Sequence, residues 1–157
     1  MFINFLKSIQ FIVLFFILIL PSCGNKYDTK GEFISGFASV GLGGKFGVID
    51  ETGKEIVAPK YEEVSNFVGE YAKIKLNNKY GLINKKGEEV LAPKYDKIYG
   101  YTGDVAKVML GSKYGMLDKK AKEVLAPKYD AVSFNIIGNY FEVSENGTIN
   151  RIEFKAE

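Results

Sequence analysis

Apolar and polar residues alternate over short stretches of this chain, and the stretches recur. Ala72-Lys73-Ile74-Lys75-Leu76 puts apolar side chains on one face and lysines on the other, the pattern of a half-buried strand. Ala38/Val40/Leu42 and Ala106/Val108/Leu110 hold the same apolar positions. A pair of turn-forming residues follows each time: Gly43-Gly44, Asn77-Asn78 and Gly111-Ser112. Such pairs tolerate positive φ and predict a β-hairpin with a two-residue turn. The register then sets Leu76 opposite Lys79, Ile74 opposite Gly81 and Ala72 opposite Ile83. Gly81 points inward in that register, leaving room for a neighbouring copy's aromatic ring, Tyr95 or Phe67, to approach Ile74.

The second strand of each hairpin carries the clearest repeat. Lys45-Phe46-Gly47-Val48-Ile49-Asp50, Lys79-Tyr80-Gly81-Leu82-Ile83-Asn84 and Lys113-Tyr114-Gly115-Met116-Leu117-Asp118 are spaced by 34 residues. Ala-Pro-Lys-Tyr keeps the same period, at Ala58–Tyr61, Ala92–Tyr95 and Ala126–Tyr129. A fixed period of this size means an array of like units, each burying its apolar face on a neighbour. Asp50-Glu51-Thr52-Gly53 and Asn84-Lys85-Lys86-Gly87 read as type I turns, with Asp50, Asn84 and Asp118 bonding their own backbone. The third copy has Ala121 where the others have glycine. If that position needs positive φ, Ala121→Gly is expected to raise the melting temperature. A third strand, Glu89-Val90-Leu91-Ala92, is expected to stop at Pro93, which has no donor.

The expected fold is therefore all-β, an open array of tandem 34-residue repeats, each of three short antiparallel strands. The units are 33–66, 67–100 and 101–134, with a degenerate cap at 135–157 in a repeat domain spanning 33–157. In the cap, Tyr140-Phe141-Glu142-Val143 and Thr148-Ile149-Asn150-Arg151-Ile152 flank Asn146-Gly147, a hairpin signal. Three copies are too few for a typical closed propeller.

The first residues supply an address. Lys7 precedes a dense apolar run from Phe11 to Leu20, and Pro21-Ser22-Cys23-Gly24 follows. This describes a secretory signal, helical over 1–22, with a run too short for an ordinary spanning helix. The Leu20-Pro21-Ser22-Cys23 junction resembles the lipobox of bacterial lipoproteins. That resemblance implies cleavage before Cys23, lipid attachment to Cys23 and anchoring in a membrane. An uncleaved anchor and an ordinary signal peptide are the alternatives. The polar stretch over 23–32 is expected to be a tether. Gly24 lacks the aspartate that retains some lipoproteins at the inner membrane, so the outer membrane is preferred by the same resemblance.

Composition removes several function classes. Cys23 is the only cysteine, which excludes an internal disulfide. Without Lys7 the chain has 20 basic residues against 19 acidic, and no basic run stands out, so nucleic acid is not an expected partner. The absence of histidine removes the usual general base and the commonest metal ligand. Paired carboxylates could still serve glycoside hydrolysis, but nothing puts Glu70, Asp104 or Glu142 together. No enzyme activity, cofactor or metal is expected.

Lys-aromatic-Gly-aliphatic-Ile-Asp, then Gly-Lys-Glu, then Pro-Lys-Tyr, resembles the WG repeat family of bacterial envelope proteins over residues 33–134. The family's tryptophan is Phe46, Tyr80 and Tyr114 here. The resemblance implies an exported β-rich repeat module. Two binding functions are compatible with it. One is a protein-interaction or scaffold module held in the envelope. The other is a glycan- or small-ligand-binding lipoprotein using Tyr61, Tyr95 and Tyr129 beside Lys60, Lys94 and Lys128. Packing between copies is the simpler reading of those tyrosines, because a residue needed at every junction must recur in every copy. Exposure of the rings separates the two.

Overall fold

The computed structural model describes residues 26–155 as four consecutive antiparallel sheets without helices. The first contains β1 (Thr29–Lys30), β2 (Phe37–Leu42), β3 (Lys45–Asp50) and β4 (Glu55–Tyr61). The second contains β5 (Glu63–Val64), β6 (Tyr71–Leu76), β7 (Lys79–Asn84) and β8 (Glu89–Tyr95). The third contains β9 (Lys97–Thr102), β10 (Val105–Leu110), β11 (Lys113–Asp118) and β12 (Glu123–Tyr129). The fourth contains β13 (Ala131–Asn135), β14 (Tyr140–Glu145) and β15 (Thr148–Glu153). Strands follow chain order within every sheet, so each is a simple meander.

The hairpins take the register read from the sequence, with Leu76 opposite Lys79, Ile74 opposite Gly81 and Ala72 opposite Ile83. Positive φ at Gly43, Gly44, Asn77 and Asn78 gives the tight turn whose twist matches the flanking strands. Asn146-Gly147 closes the last hairpin in the same way.

Four features depart from expectation. Each of the first three sheets has a fourth strand, because the segment after Lys-Tyr pairs beside the next hairpin. The stretch read as a tether contributes β1, and Tyr27 packs on Ala38, Val40 and Ile49. The third strand runs through Pro93 to Tyr95. The ladder skips between Leu82–Leu91 and Tyr80–Tyr95, so the proline lies in a bulge of an edge strand, where no amide donor is required. That bulge, rather than an aromatic ring, fills the space beside Gly81. A Cβ there would lie 2.4 Å from the Leu91 carbonyl oxygen and 2.7 Å from the Pro93 nitrogen.

Both faces of the internal sheets are covered. Val48, Val57 and Tyr61 of the first sheet meet Phe67, Ile74 and Ile83 of the second. Leu82 and Tyr95 meet Ile98, Val108 and Leu117 of the third. Val105, Met116, Leu125 and Tyr129 meet Val132, Phe141 and Phe154 of the fourth. Each cluster joins one sheet to the next, and among the described residues none joins the first sheet to the fourth. The array is open.

Candidate functional site

The repeated tyrosines sit at the junctions between sheets. Tyr61, Tyr95 and Tyr129 are buried, and Lys60, Lys94 and Lys128 are exposed, each ammonium 4.9 Å from the ring of the tyrosine that follows it. The Tyr61 hydroxyl donates to Glu89 Oε1 at 2.5 Å, and Lys60 Nζ donates to the same oxygen at 3.1 Å. Tyr95 and Lys94 repeat this arrangement on Glu123. Tyr27 and Lys26 make it on Glu55, both at 2.8 Å. The Lys-Tyr pair of one copy thus clasps the glutamate that opens the third strand of the next copy's hairpin unit. Lys128 instead reaches Glu145 at 3.8 Å.

The clasp explains its own electrostatics. Glu89 is held below the ordinary carboxylate range by hydrogen bonds from Tyr61 and then Lys60. Burial tends to raise Glu123, but Tyr95 and Lys94 outweigh it and the net shift is downward. The Tyr61 and Tyr95 phenols are pushed up, first by burial and then by the carboxylates they bond. An interior phenol donating to a carboxylate contributes about 1–2 kcal/mol, more than an exposed lysine–glutamate pair.

A second ladder runs along the hairpin tips. Asp28, Glu62, Asp96 and Asp130, the residues after each tyrosine, accept backbone N–H groups of Gly43, Asn77, Gly111 and Asn146 at 2.7–3.0 Å. Lys79 and Lys113, the first residues of the repeated motif, bond Asp96 and Asp130 at 2.5 Å. Each of these two aspartates therefore ties a hairpin tip of one sheet to the tip of the next. Hydrogen bonds from Lys79 and Lys113, followed by those from backbone amides, lower both carboxyl groups.

The other acidic and turn residues singled out from the sequence are also engaged. Asp50 Oδ1 takes the N–H groups of Thr52 and Lys54, and Asn84 and Asp118 close their own turns in the same way. Glu70, Asp104 and Glu142 pair with Lys85, Lys119 and Arg151 at 3.1, 3.7 and 3.5 Å, and are not brought together. Cys23 lies outside the described residues. The proposed aromatic stripe does not form an exposed surface.

The clasp glutamates Glu55, Glu89 and Glu123 and the tip acids were not among the residues singled out from the sequence. Their signal is the period itself. Lys26-Tyr27-Asp28 stands 34 residues before Lys60-Tyr61-Glu62, which marks a partial copy ahead of the first full one.

Large apolar side chains are exposed away from the junctions. Ile34, Val68 and Ile136 occupy equivalent positions at the tips of the β1–β2, β5–β6 and β13–β14 connections, and Ile137, next to Ile136, is fully exposed. Comparison with curated proteins finds no match. The sequence profile of the WG containing repeat matches three times in tandem, over residues 46–80, 80–114 and 114–148. Those matches cover most of the described chain and share the period of its sheets, so this protein belongs to the WG-containing repeat family.

Proposed function

We propose that the protein is a bacterial lipoprotein, processed before Cys23 and held in the cell envelope by lipid on that cysteine. Its β-repeat module acts as a protein-interaction scaffold and not as an enzyme. The anchor rests on the apolar run and the Leu20-Pro21-Ser22-Cys23 junction, and more than one acyl chain would hold it stably. Gly24 after the cysteine favours the outer membrane.

The observation that carries the scaffold reading is the burial of Tyr61, Tyr95 and Tyr129 at sheet junctions. Repeated aromatic and charged residues are consumed in joining sheets, which favours a rigid frame over a glycan-binding stripe. Contact with an envelope protein is then carried by the exposed apolar tips of the connections, foremost Val68, Ile136 and Ile137. Exposed apolar side chains of this kind are common at association sites.

The anchor is tested by mass spectrometry of the N-terminus of the protein recovered from cells. Cys23 should carry lipid as the first residue, and Cys23→Ala should leave the protein unlipidated and released from the membrane fraction. An alanine variant that stays membrane-bound with the signal removed would sink the lipoprotein reading.

A further inference from the structure

Departures from the repeat concentrate in the third sheet. At one position of the first strand the copies read Gly31, Ser65, Tyr99 and Ser133. Lys97 stands where the second sheet has Glu63, and Lys107 where the second has Lys73 and the first Ser39. The second sheet pairs Lys75 with Glu63 at 2.7 Å, whereas the equivalent cross-strand pair in the third is Met109 with Lys97. That ion pair is therefore missing from the third sheet, and Lys97 stands opposite an apolar side chain.

The second sheet also ties its first strand to the hairpin through Ser65, whose Oγ accepts the Lys73 N–H at 2.8 Å. Tyr99 cannot repeat that short contact. Its strand instead extends to Thr102 and bulges opposite Lys107.

The result is a cationic aromatic cluster. Lys97 Nζ lies 4.7 Å from the Tyr99 ring centre and Lys107 Nζ 5.0 Å from it. Lys107 also lies 5.5 Å from the Tyr114 ring. The two ammonium groups are no further apart than the sum of their distances to Tyr99, within about a Debye length, and so they repel. Neither has an ion-pair partner among the described residues. Asp96 beside Lys97 is already occupied by Lys79 and the Gly111 N–H.

A cleft of about 320 Å³ opens beside Tyr99 and Lys107, between the third and fourth sheets; Lys97 lines a separate cleft together with Asp96 and Ile98. Tyr99 and Lys107 stand on one wall, Met116 and Phe134 line its apolar part, and Thr102 and Ser133 add hydroxyl groups. A small, mostly apolar cavity with a few convergent polar groups is the usual form of a small-molecule site.

We propose that this cleft binds a small organic anion. The acidic head lies on Lys107 at the wall of the cleft, where it relieves the repulsion from Lys97, and a ring or short alkyl body packs beside Tyr99 and fills the apolar part. The site goes beyond the scaffold role and draws on Lys97 and Tyr99, which stand where the second sheet has Glu63 and Ser65.

The test is isothermal titration of the full chain in non-ionic detergent with phenyl phosphate and with benzoate. At least one should bind saturably, more tightly than inorganic phosphate or phenol, and more weakly as salt increases. Lys97→Gln with Lys107→Gln should weaken binding about tenfold or more, since charge-assisted hydrogen bonds are lost. Lys86→Gln with Lys120→Gln, at turns remote from the cleft, should leave it unchanged. Tyr99→Ser, the residue of two other copies, should weaken the organic anion while preserving the fold by circular dichroism. The proposal is overturned if neither probe binds saturably. It is equally overturned if inorganic phosphate binds as tightly, or if the cleft variants bind like the wild type with intact thermal melts.

Discussion

Replacing Gly81 by alanine puts a methyl group where backbone atoms already stand. The new carbon would lie 2.4 Å from the Leu91 oxygen, 2.7 Å from the Pro93 nitrogen and 2.9 Å from the Ala92 carbonyl carbon. An ordinary contact needs roughly 3.5 Å, so the strand must retreat by about 1 Å. Because the obstruction is main chain, no rotamer change relieves it. Retreat strains the ladder from Tyr80–Tyr95 to Leu82–Leu91 and moves Tyr95 away from Glu123. Overpacking of this kind costs typically 1–3 kcal/mol, and the lost clasp brings the expected cost to about 3 kcal/mol. For a domain of this size each kcal/mol lowers Tm by about 4 °C, so a fall of about 12 °C is expected. Gly100→Ala is the control, since nothing lies within 4 Å of a Cβ there and its φ is not positive. Thermal melts by circular dichroism decide the matter. A Gly81→Ala variant that melts within about 2 °C of wild type would refute the reasoning.

Other consequences follow from the same contacts. Tyr95→Phe removes a junction bond to Glu123 and should lower Tm by about 4–8 °C, whereas Tyr129→Phe, whose hydroxyl bonds no described residue, should shift it less. Glu89, Asp96, Glu123 and Asp130 all have depressed carboxyl groups. Their contribution is present above the unfolded carboxylate range, near pH 4, and is lost as pH falls through the lower folded values; a Tm that stays constant from pH 5 to acid unfolding would contradict this. Burial raises the phenols of Tyr61, Tyr95 and Tyr101, the last to about 12, so stability is intact below pH 10 and falls above it. In a spectrophotometric titration the buried Tyr61 and Tyr95 should ionise only together with unfolding. Ala121→Gly should change Tm by less than about 3 °C, because two effects of about 1 kcal/mol oppose each other. Removing the methyl relieves φ of 62° but empties a buried position in the junction with the second sheet.

The hairpins were legible because alternation and turn chemistry act locally. Asn77-Asn78 alone specifies both turn and register, and the observed pairing follows it. The Asp50, Asn84 and Asp118 turns were legible for the same reason. What was not legible depends on contact between copies. Pro93 reads as a strand end to any local rule, yet a bulge beside Gly81 lets the strand continue. Lys26–Lys30 reads as a polar tether because its only apolar anchor is Tyr27, and its strand partner, β2, lies beyond a loop. The period marked Tyr61 and Tyr95 as shared elements but not their acceptors, since Glu89 and Glu123 lie 28 residues onward in the next sheet. Ala121 shows the same limit: the glycine of the other copies raised the question of positive φ there, but its burial depends on a neighbouring sheet.

The account's central claim is that the repeated residues buried at the junctions build the frame while the exposed apolar tips carry partner contact. Crosslinking in intact cells, followed by capture of the acylated protein and mass spectrometry, tests this most directly. Wild type should yield a stoichiometric envelope protein that is lost in Val68→Lys with Ile137→Lys and retained in Lys60→Gln with Lys94→Gln. Retention in the first variant and loss in the second, with both folded, would contradict the account, as would capture of the protein alone.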